Sequence, residues 1–183
     1  MKSTIFGNPH GLPHPQSGSN PEDISILIHE CLKIPIFREI VKKKKYSGWI
    51  KSNLGQKREV VWENTNKLLR RNNFIGVKTG VTVTAGPCLA TCYEAGDKIF
   101  IIVLLRTNKL SRRFKETRWI LALALTKLNN SLYMEHIRKI LKEDPDLDSD
   151  NSEDEEEFKF DRSDAMELRK RNKILTFELW WEY

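Results

Sequence analysis

Seven consecutive apolar residues, Ile99-Phe100-Ile101-Ile102-Val103-Leu104-Leu105, constrain the fold more than any other stretch of the chain. A strand that is apolar at odd and even positions alike has to be covered on both faces, so this segment reads as a central strand. The Ala95-Gly96-Asp97 turn stands just before it, and a β-rich run, Cys88 to Glu94, precedes the turn, a combination that predicts a hairpin. With the strand around Lys78, the chain is expected to form three consecutive antiparallel strands within 75–105.

Helix signals surround this core. Asn20 is a capping residue, Pro21 fits the first helical position, and Glu22 and Asp23 suit the positive end of the helix dipole. Ile24, Leu27, Ile28, Cys31 and Leu32 then recur at helical spacing, and Pro35 ends the run. A short helix over Ile36 to Lys42 puts Phe37 and Val41 inward. Tyr46 to Ile50 and Arg58 to Trp62 read as two strands about the turn Ser52-Asn53-Leu54-Gly55. Ser111 to Leu128 is helical, with Phe114, Leu121, Leu125 and Leu128 in one stripe and Arg112, Arg113, Lys115 and Arg118 mostly off it. Ser131 to Leu141 is expected to add a helix, apolar at Leu132, Ile137 and Leu141. The fold class is therefore α/β in its α+β form, an antiparallel sheet covered by helices. Residues 1–142 make one domain, 143–160 an acidic linker expected to be disordered, and 161–183 a C-terminal segment whose structure the sequence leaves open, with weak helix or strand character over Glu167 to Trp181.

Charge is distributed unevenly. Glu143 to Glu157 holds ten acids and no Lys or Arg, so removing them from the net charge of +6 leaves +16 on the rest of the chain. Part of that excess is Lys42 to Lys45, suited to phosphate or an anionic surface. No motif that reads DNA or RNA accompanies it, so no specific nucleic-acid partner is expected. No run approaches the roughly 18 apolar residues of a membrane-spanning helix, and the opening residues contain no apolar block of the signal-sequence kind. Cys31, Cys88 and Cys92 read as small buried thiols. No metal or organic cofactor is implied.

The chemistry centres on Val77-Lys78-Thr79-Gly80-Val81-Thr82. As a strand it sends Lys78, Gly80 and Thr82 to one side and Thr79, Val81 and Val83 to the other. A cation, hydroxyls and a bare backbone are the groups needed to hold a carboxylate and polarise a carbonyl.

Five blocks in order carry a resemblance: Phe6-Gly7-Asn8-Pro9-His10-Gly11-Leu12, Trp62-Glu63-Asn64-Thr65-Asn66-Lys67-Leu68-Leu69, Gly76-Val77-Lys78-Thr79-Gly80-Val81-Thr82, Ala85-Gly86-Pro87-Cys88-Leu89 and Arg113-Phe114. They resemble the second half of the D-alanyl-D-alanine carboxypeptidases, the low-molecular-mass penicillin-binding proteins related to serine β-lactamases. The resemblance implies a sheet covered by helices beside a helical lobe, and removal of a terminal D-alanine from peptidoglycan stem peptides through an acyl-serine. It implies that Lys78 sets positive charge beside the nucleophile, that Thr79 and Thr82 hydrogen-bond the substrate carboxylate, and that Gly80 leaves room for close approach. The Val81 N–H would form half of the oxyanion hole, and Arg113, matching the family's basic residue after the last strand, would help hold the carboxylate. A D-Ala-D-Ala peptide or a β-lactam would be the ligand.

The family also runs on a Ser-x-x-Lys and a Ser-x-Asn upstream of the Lys-Thr-Gly. No serine here has a lysine three positions later, and the literal Ser149-Asp150-Asn151 follows the Lys-Thr-Gly and sits in the acidic tract. The expectation is that Met1 falls inside the ancestral domain and that this chain, having no nucleophile, does not turn over substrate. The strand 99–105 is then expected to present an open edge, with one of three outcomes: pairing with a complementing chain, covering by the segment around Ile174 to Trp181, or poor solubility. The alternative is a non-catalytic interaction protein using its basic lobe and acidic tail.

Overall fold

The computed structural model describes residues 1–128 and 133–142 of the 183. In chain order the elements are α1 (Pro21–Leu32), α2 (Pro35–Lys42), β1 (Lys45–Lys51), β2 (Lys57–Glu63), a 3-10 turn (Lys67–Arg70), β3 (Phe74–Thr82), β4 (Gly86–Ala95), β5 (Lys98–Leu104), α3 (Arg112–Lys127) and α4 (Met134–Leu141). β3, β4 and β5 form one antiparallel sheet, and β1 and β2 pair separately as a two-stranded ribbon.

Local chemistry explains most boundaries. The Asn20 side chain accepts from the Asp23 N–H at 2.7 Å and caps α1, with Pro21 opening its first turn. Asp23 is itself buried and accepts from the N–H groups of Lys2 (2.9 Å) and Ser3 (2.8 Å) and from the Thr4 hydroxyl (2.7 Å). The opening segment is thereby fastened to α1, and Ile5 forms an antiparallel bridge with Gly18. Asn8 closes a turn, its side chain accepting from the Gly11 N–H and donating to the Leu12 carbonyl. Ala95 pairs with Lys98 across a two-residue Gly96-Asp97 turn, where Gly96 supplies the positive φ of 64° that such a turn needs. Pro35 both ends the first helical run and opens the second at its first position.

Two hydrophobic clusters lie on opposite faces of the sheet. On one, Phe74, Leu89, Tyr93, Phe100, Ile102 and Leu104 meet Phe114, Leu121 and Leu125 of α3 and Ile140 of α4. On the other, Ile75, Ala90, Cys92, Ile101 and Val103 meet Ile28 of α1 and Val41 of α2. The alternation along β5 between the two clusters is what its unbroken apolar sequence requires.

Three expectations are corrected. By composition the 99–105 segment reads as central, but β4 holds that place; β5 lies at the edge with no strand on its outer side among the described residues, the open edge that the resemblance implies. Its burial comes from helices above and below, which the sequence pattern cannot distinguish from strands on both flanks. Arg113 and Arg118, read as lying off the apolar stripe of α3, are buried, because each donates to main-chain carbonyls of other elements, Arg113 to Gly80 and Cys88 and Arg118 to Lys142. In α4 the buried residue is Ile140, and Leu141 is exposed. Ser131, Leu132, the acidic linker and residues 161–183 lie outside the described residues.

Candidate active site

β3 is the other edge of the sheet, and a register shift shapes it. Gly76 faces Thr91 and Lys78 faces Ala90, so Val77 is an extra residue, a β-bulge. Val77 packs with the cluster under α1 and α2, and Lys78 lies opposite Ala90 of the same cluster. From there Gly80 faces Cys88 and Thr82 faces Gly86, so Lys78, Gly80 and Thr82 share one side. Thr79, opposite Leu89, and Val81, opposite Pro87, take the other. Over Lys78 to Thr82 the alternation read from the sequence is the one observed, whereas Val83 lies past the strand in the turn.

The individual groups are placed as follows. Lys78 is exposed and its Nζ donates to the Thr79 carbonyl. The Thr79 hydroxyl lies 2.5 Å from the Thr65 hydroxyl, which comes from the link between β2 and the 3-10 turn. The Thr82 hydroxyl accepts from the Ala85 N–H at 3.0 Å and lies 3.3 Å from the Thr84 hydroxyl, closing the turn into β4. Val81 is exposed. A Cβ on Gly80 would meet nothing within 4 Å, and Gly80 has no positive φ, so neither packing nor backbone conformation demands glycine there. What its lack of a side chain provides is a clear floor beside Lys78.

Arg113 reaches this strand from behind. Its Nη1 donates to the Gly80 carbonyl at 3.3 Å and the Cys88 carbonyl at 3.1 Å, and its guanidinium stands 4.9 Å from the centre of the Phe114 ring. Burial opposes its charge and lowers its pKa from the usual value. Its Nε is buried without a hydrogen-bond partner among the described residues. The expected carboxylate-holding arginine is thus seen holding main-chain carbonyls, one of them inside the Lys-Thr-Gly-Val segment.

Two supports were not singled out from the sequence. Asn66 is buried; its side chain donates to the Thr91 hydroxyl at 3.2 Å and accepts from the Leu68 N–H at 3.1 Å, while Thr91 donates on to the Ile75 carbonyl at 3.0 Å. Asn64 donates to the Lys43 carbonyl at 3.1 Å and accepts from the Asn66 N–H at 3.0 Å. The Asn64-Thr65-Asn66 stretch is therefore clamped between the C-terminal end of α2 and the sheet, with Thr65 directed at Thr79. A polar triplet at the end of a strand was the available signal, but its partners lie in other elements. Residues 1–109 match the family model described as D-alanyl-D-alanine carboxypeptidase.

The chain belongs to the D-alanyl-D-alanine carboxypeptidase family. It is 30% identical over 115 residues to the D-alanyl-D-alanine carboxypeptidase of Streptomyces sp. (strain K15), covering 62% of this chain and 40% of that protein. It is 31% identical over 115 residues to D-alanyl-D-alanine carboxypeptidase DacF of Bacillus subtilis (strain 168), covering 62% of this chain and 28% of that one. Among solved structures, the Streptomyces K15 DD-transpeptidase superposes with a TM-score of 0.58 at 30% identity over 62% of this chain and 44% of its own. Penicillin-Binding Protein D2 from Listeria monocytogenes, in a cefotaxime-bound form, gives 0.53 at 27% identity over 66% and 47%. The chain thus spans less than half the length of these relatives. The sheet and its flanking helices are a partial D-alanyl-D-alanine peptidase fold.

Proposed function

We propose that β3 is the substrate-gripping wall of a serine D-Ala-D-Ala peptidase, and that these 183 residues bind such peptides without hydrolysing them. The observation that carries this is the open edge of β3, where Lys78 and the uncluttered Gly80 share one side with Thr82. Lys78 supplies positive charge beside the position of an attacking oxygen. The hydroxyls of Thr82 and Thr79 approach the terminal carboxylate from the two sides of the free edge, Thr79 being oriented by Thr65. The Val81 N–H stabilises the oxygen that becomes negative in the transition state. Arg113 acts one step back as a positioning residue, fixing the Gly80 carbonyl and hence the peptide plane that carries the Val81 N–H.

Attack needs a nucleophile, and no serine in the sequence has a lysine three residues on. Loss of the nucleophile in a serine hydrolase costs on the order of 10⁶ in turnover. The nucleophile would come from outside these residues, and the outer edge of β5, unpaired among the described residues, is where a strand accompanying it would pair.

The test is a fluorescent penicillin together with a D-Ala-D-Ala peptide. The purified chain should show no covalent band, should bind the peptide reversibly, and should lose that binding on Lys78→Ala. A covalent adduct, or release of free D-alanine, would overturn the non-hydrolytic half. Peptide affinity indifferent to Lys78→Ala would overturn the assignment of the wall.

A further inference from the structure

Among the described residues the β1–β2 ribbon pairs with no other strand, and every residue from Lys51 to Glu59 is exposed. Its tip is nonetheless well built. The Gly55 N–H donates to the Ser52 carbonyl at 3.0 Å, the Ser52 N–H to the Gln56 carbonyl at 2.8 Å, and the Gln56 N–H to the Ser52 hydroxyl at 3.2 Å. Gly55 takes the positive φ of 81° that closes the turn. This ordered turn holds Leu54 88% exposed, and Trp49 behind it is 70% exposed.

The tip is also cationic. From Ile50 to Arg58 there are three cations and no acid, the first carboxylate being Glu59 opposite Trp49. Lys51 and Lys57 stand directly opposite each other in the register. Like charges facing across a ribbon destabilise it unless an anion lies between them. At the base of the ribbon the situation differs: Lys42 pairs with Glu94, Lys43 with Glu39 and Lys45 with Glu63. The described ion pairs thus give Lys42, Lys43 and Lys45 carboxylate partners and give none to Lys51, Lys57 and Arg58 at the tip.

We infer that the Trp49–Arg58 tip docks on an anionic lipid surface. Exposed Leu and Trp suit the boundary between headgroups and acyl chains, and neighbouring Lys and Arg are drawn to anionic headgroups. The two features together select the partner. An acidic polymer would engage the cations and leave Leu54 and Trp49 in water, and a neutral apolar partner would bury the cations without compensation.

Flotation of the full chain with phosphatidylglycerol vesicles, against phosphatidylcholine vesicles, tests the inference independently of any peptide ligand. The chain should float with the anionic vesicles only and lose binding as salt rises. Each cation contributes about fivefold to partitioning, so Lys51→Gln with Lys57→Gln should weaken it by at least about tenfold. Leu54→Ser should weaken it similarly while leaving the far-ultraviolet circular dichroism unchanged. No flotation, or flotation unaffected by both variants, overturns the inference. Loss with the lysine variants but not with Leu54→Ser would show polyanion binding instead and also overturns it. So would a dimer in solution that Leu54→Ser dissociates, since the occupant would then be a second copy.

Discussion

Arg113 donates to the carbonyl oxygen of Gly80 at 3.3 Å, tying the first turn of α3 to the strand that carries Lys78. A second bond from the same nitrogen reaches Cys88, the residue opposite Gly80 in β4. One guanidinium thus holds two adjacent strands in register at the site. Arg113→Ala should cost about 2–3 kcal/mol, since hydrogen bonds from a charged donor are lost and two carbonyls are left without it. Arg113→Lys should recover less than half, because the more strongly hydrated ammonium is costlier to bury and cannot lie against the Phe114 ring as the flat guanidinium does. Urea unfolding of the two variants checks the order.

Gly76 and Gly80 should separate folding from binding. A Cβ at Gly76 would lie 2.9 Å from Leu69 Cδ1 and 3.0 Å from the Val41 carbonyl oxygen, and backbone cannot easily give way. Gly76→Ala should therefore destabilise by about 1–3 kcal/mol through overpacking. Gly80→Ala meets open space. It should change stability by no more than about 0.5 kcal/mol, yet weaken D-Ala-D-Ala peptide binding about tenfold, equivalent to roughly 1.4 kcal/mol. Thermal melts and peptide titrations of both variants provide the comparison, and equal stability losses would contradict it.

What could be read from the sequence is what is decided locally. The β4–β5 hairpin follows from Gly96-Asp97, the start of α1 from Asn20 and Pro21, and the inward face of α3 from the spacing of Phe114, Leu121 and Leu125. The Lys-Thr-Gly strand and its two faces were legible because alternation along a strand needs no distant partner. The apolar pattern of β5 did not by itself show its edge position, since helices on both faces give the same pattern as strands on both flanks; the open edge followed only from the resemblance. The burial of Arg113, which depends on carbonyls 25 and 33 residues away, and the orientation of Thr65, which depends on Thr79, were not legible. A charged residue on a helix reads as exposed until the acceptors that solvate it inside the protein are known.

Asn66 joins three elements through one amide: the 3-10 turn through Leu68, β4 through Thr91, and β3 through the bond from Thr91 to Ile75. Asn66→Ala leaves the Leu68 N–H without its acceptor in a buried setting and should cost about 1–3 kcal/mol. Asn66→Asp keeps that acceptor but loses the donor to Thr91 and buries a charge, so it should be no better. Because Thr65 is the preceding residue, both variants should also weaken peptide binding. Thr65→Val, which removes only the hydroxyl facing Thr79, should weaken binding with little change in the urea midpoint.

Asp23 gives the fold an acid-sensitive fastening. The Thr4 hydroxyl, foremost, and the N–H groups of Ser3 and Lys2 hold its carboxyl below the usual aspartate pKa, with the N-terminal amine adding in the same direction. A group whose folded pKa is depressed contributes stability that is complete above its unfolded pKa of about 4. That contribution is lost as pH falls through the lower folded value. The opening segment should therefore detach from α1 on acidification below about pH 4, before the sheet unfolds. Amide exchange at Lys2, Ser3 and Thr4 should accelerate in that window, while exchange in β4 does not. In Asp23→Asn the carboxylate is gone, so these amides should exchange fast at neutral pH and show no acid step. An acid step that survives the substitution would place the sensitive group elsewhere.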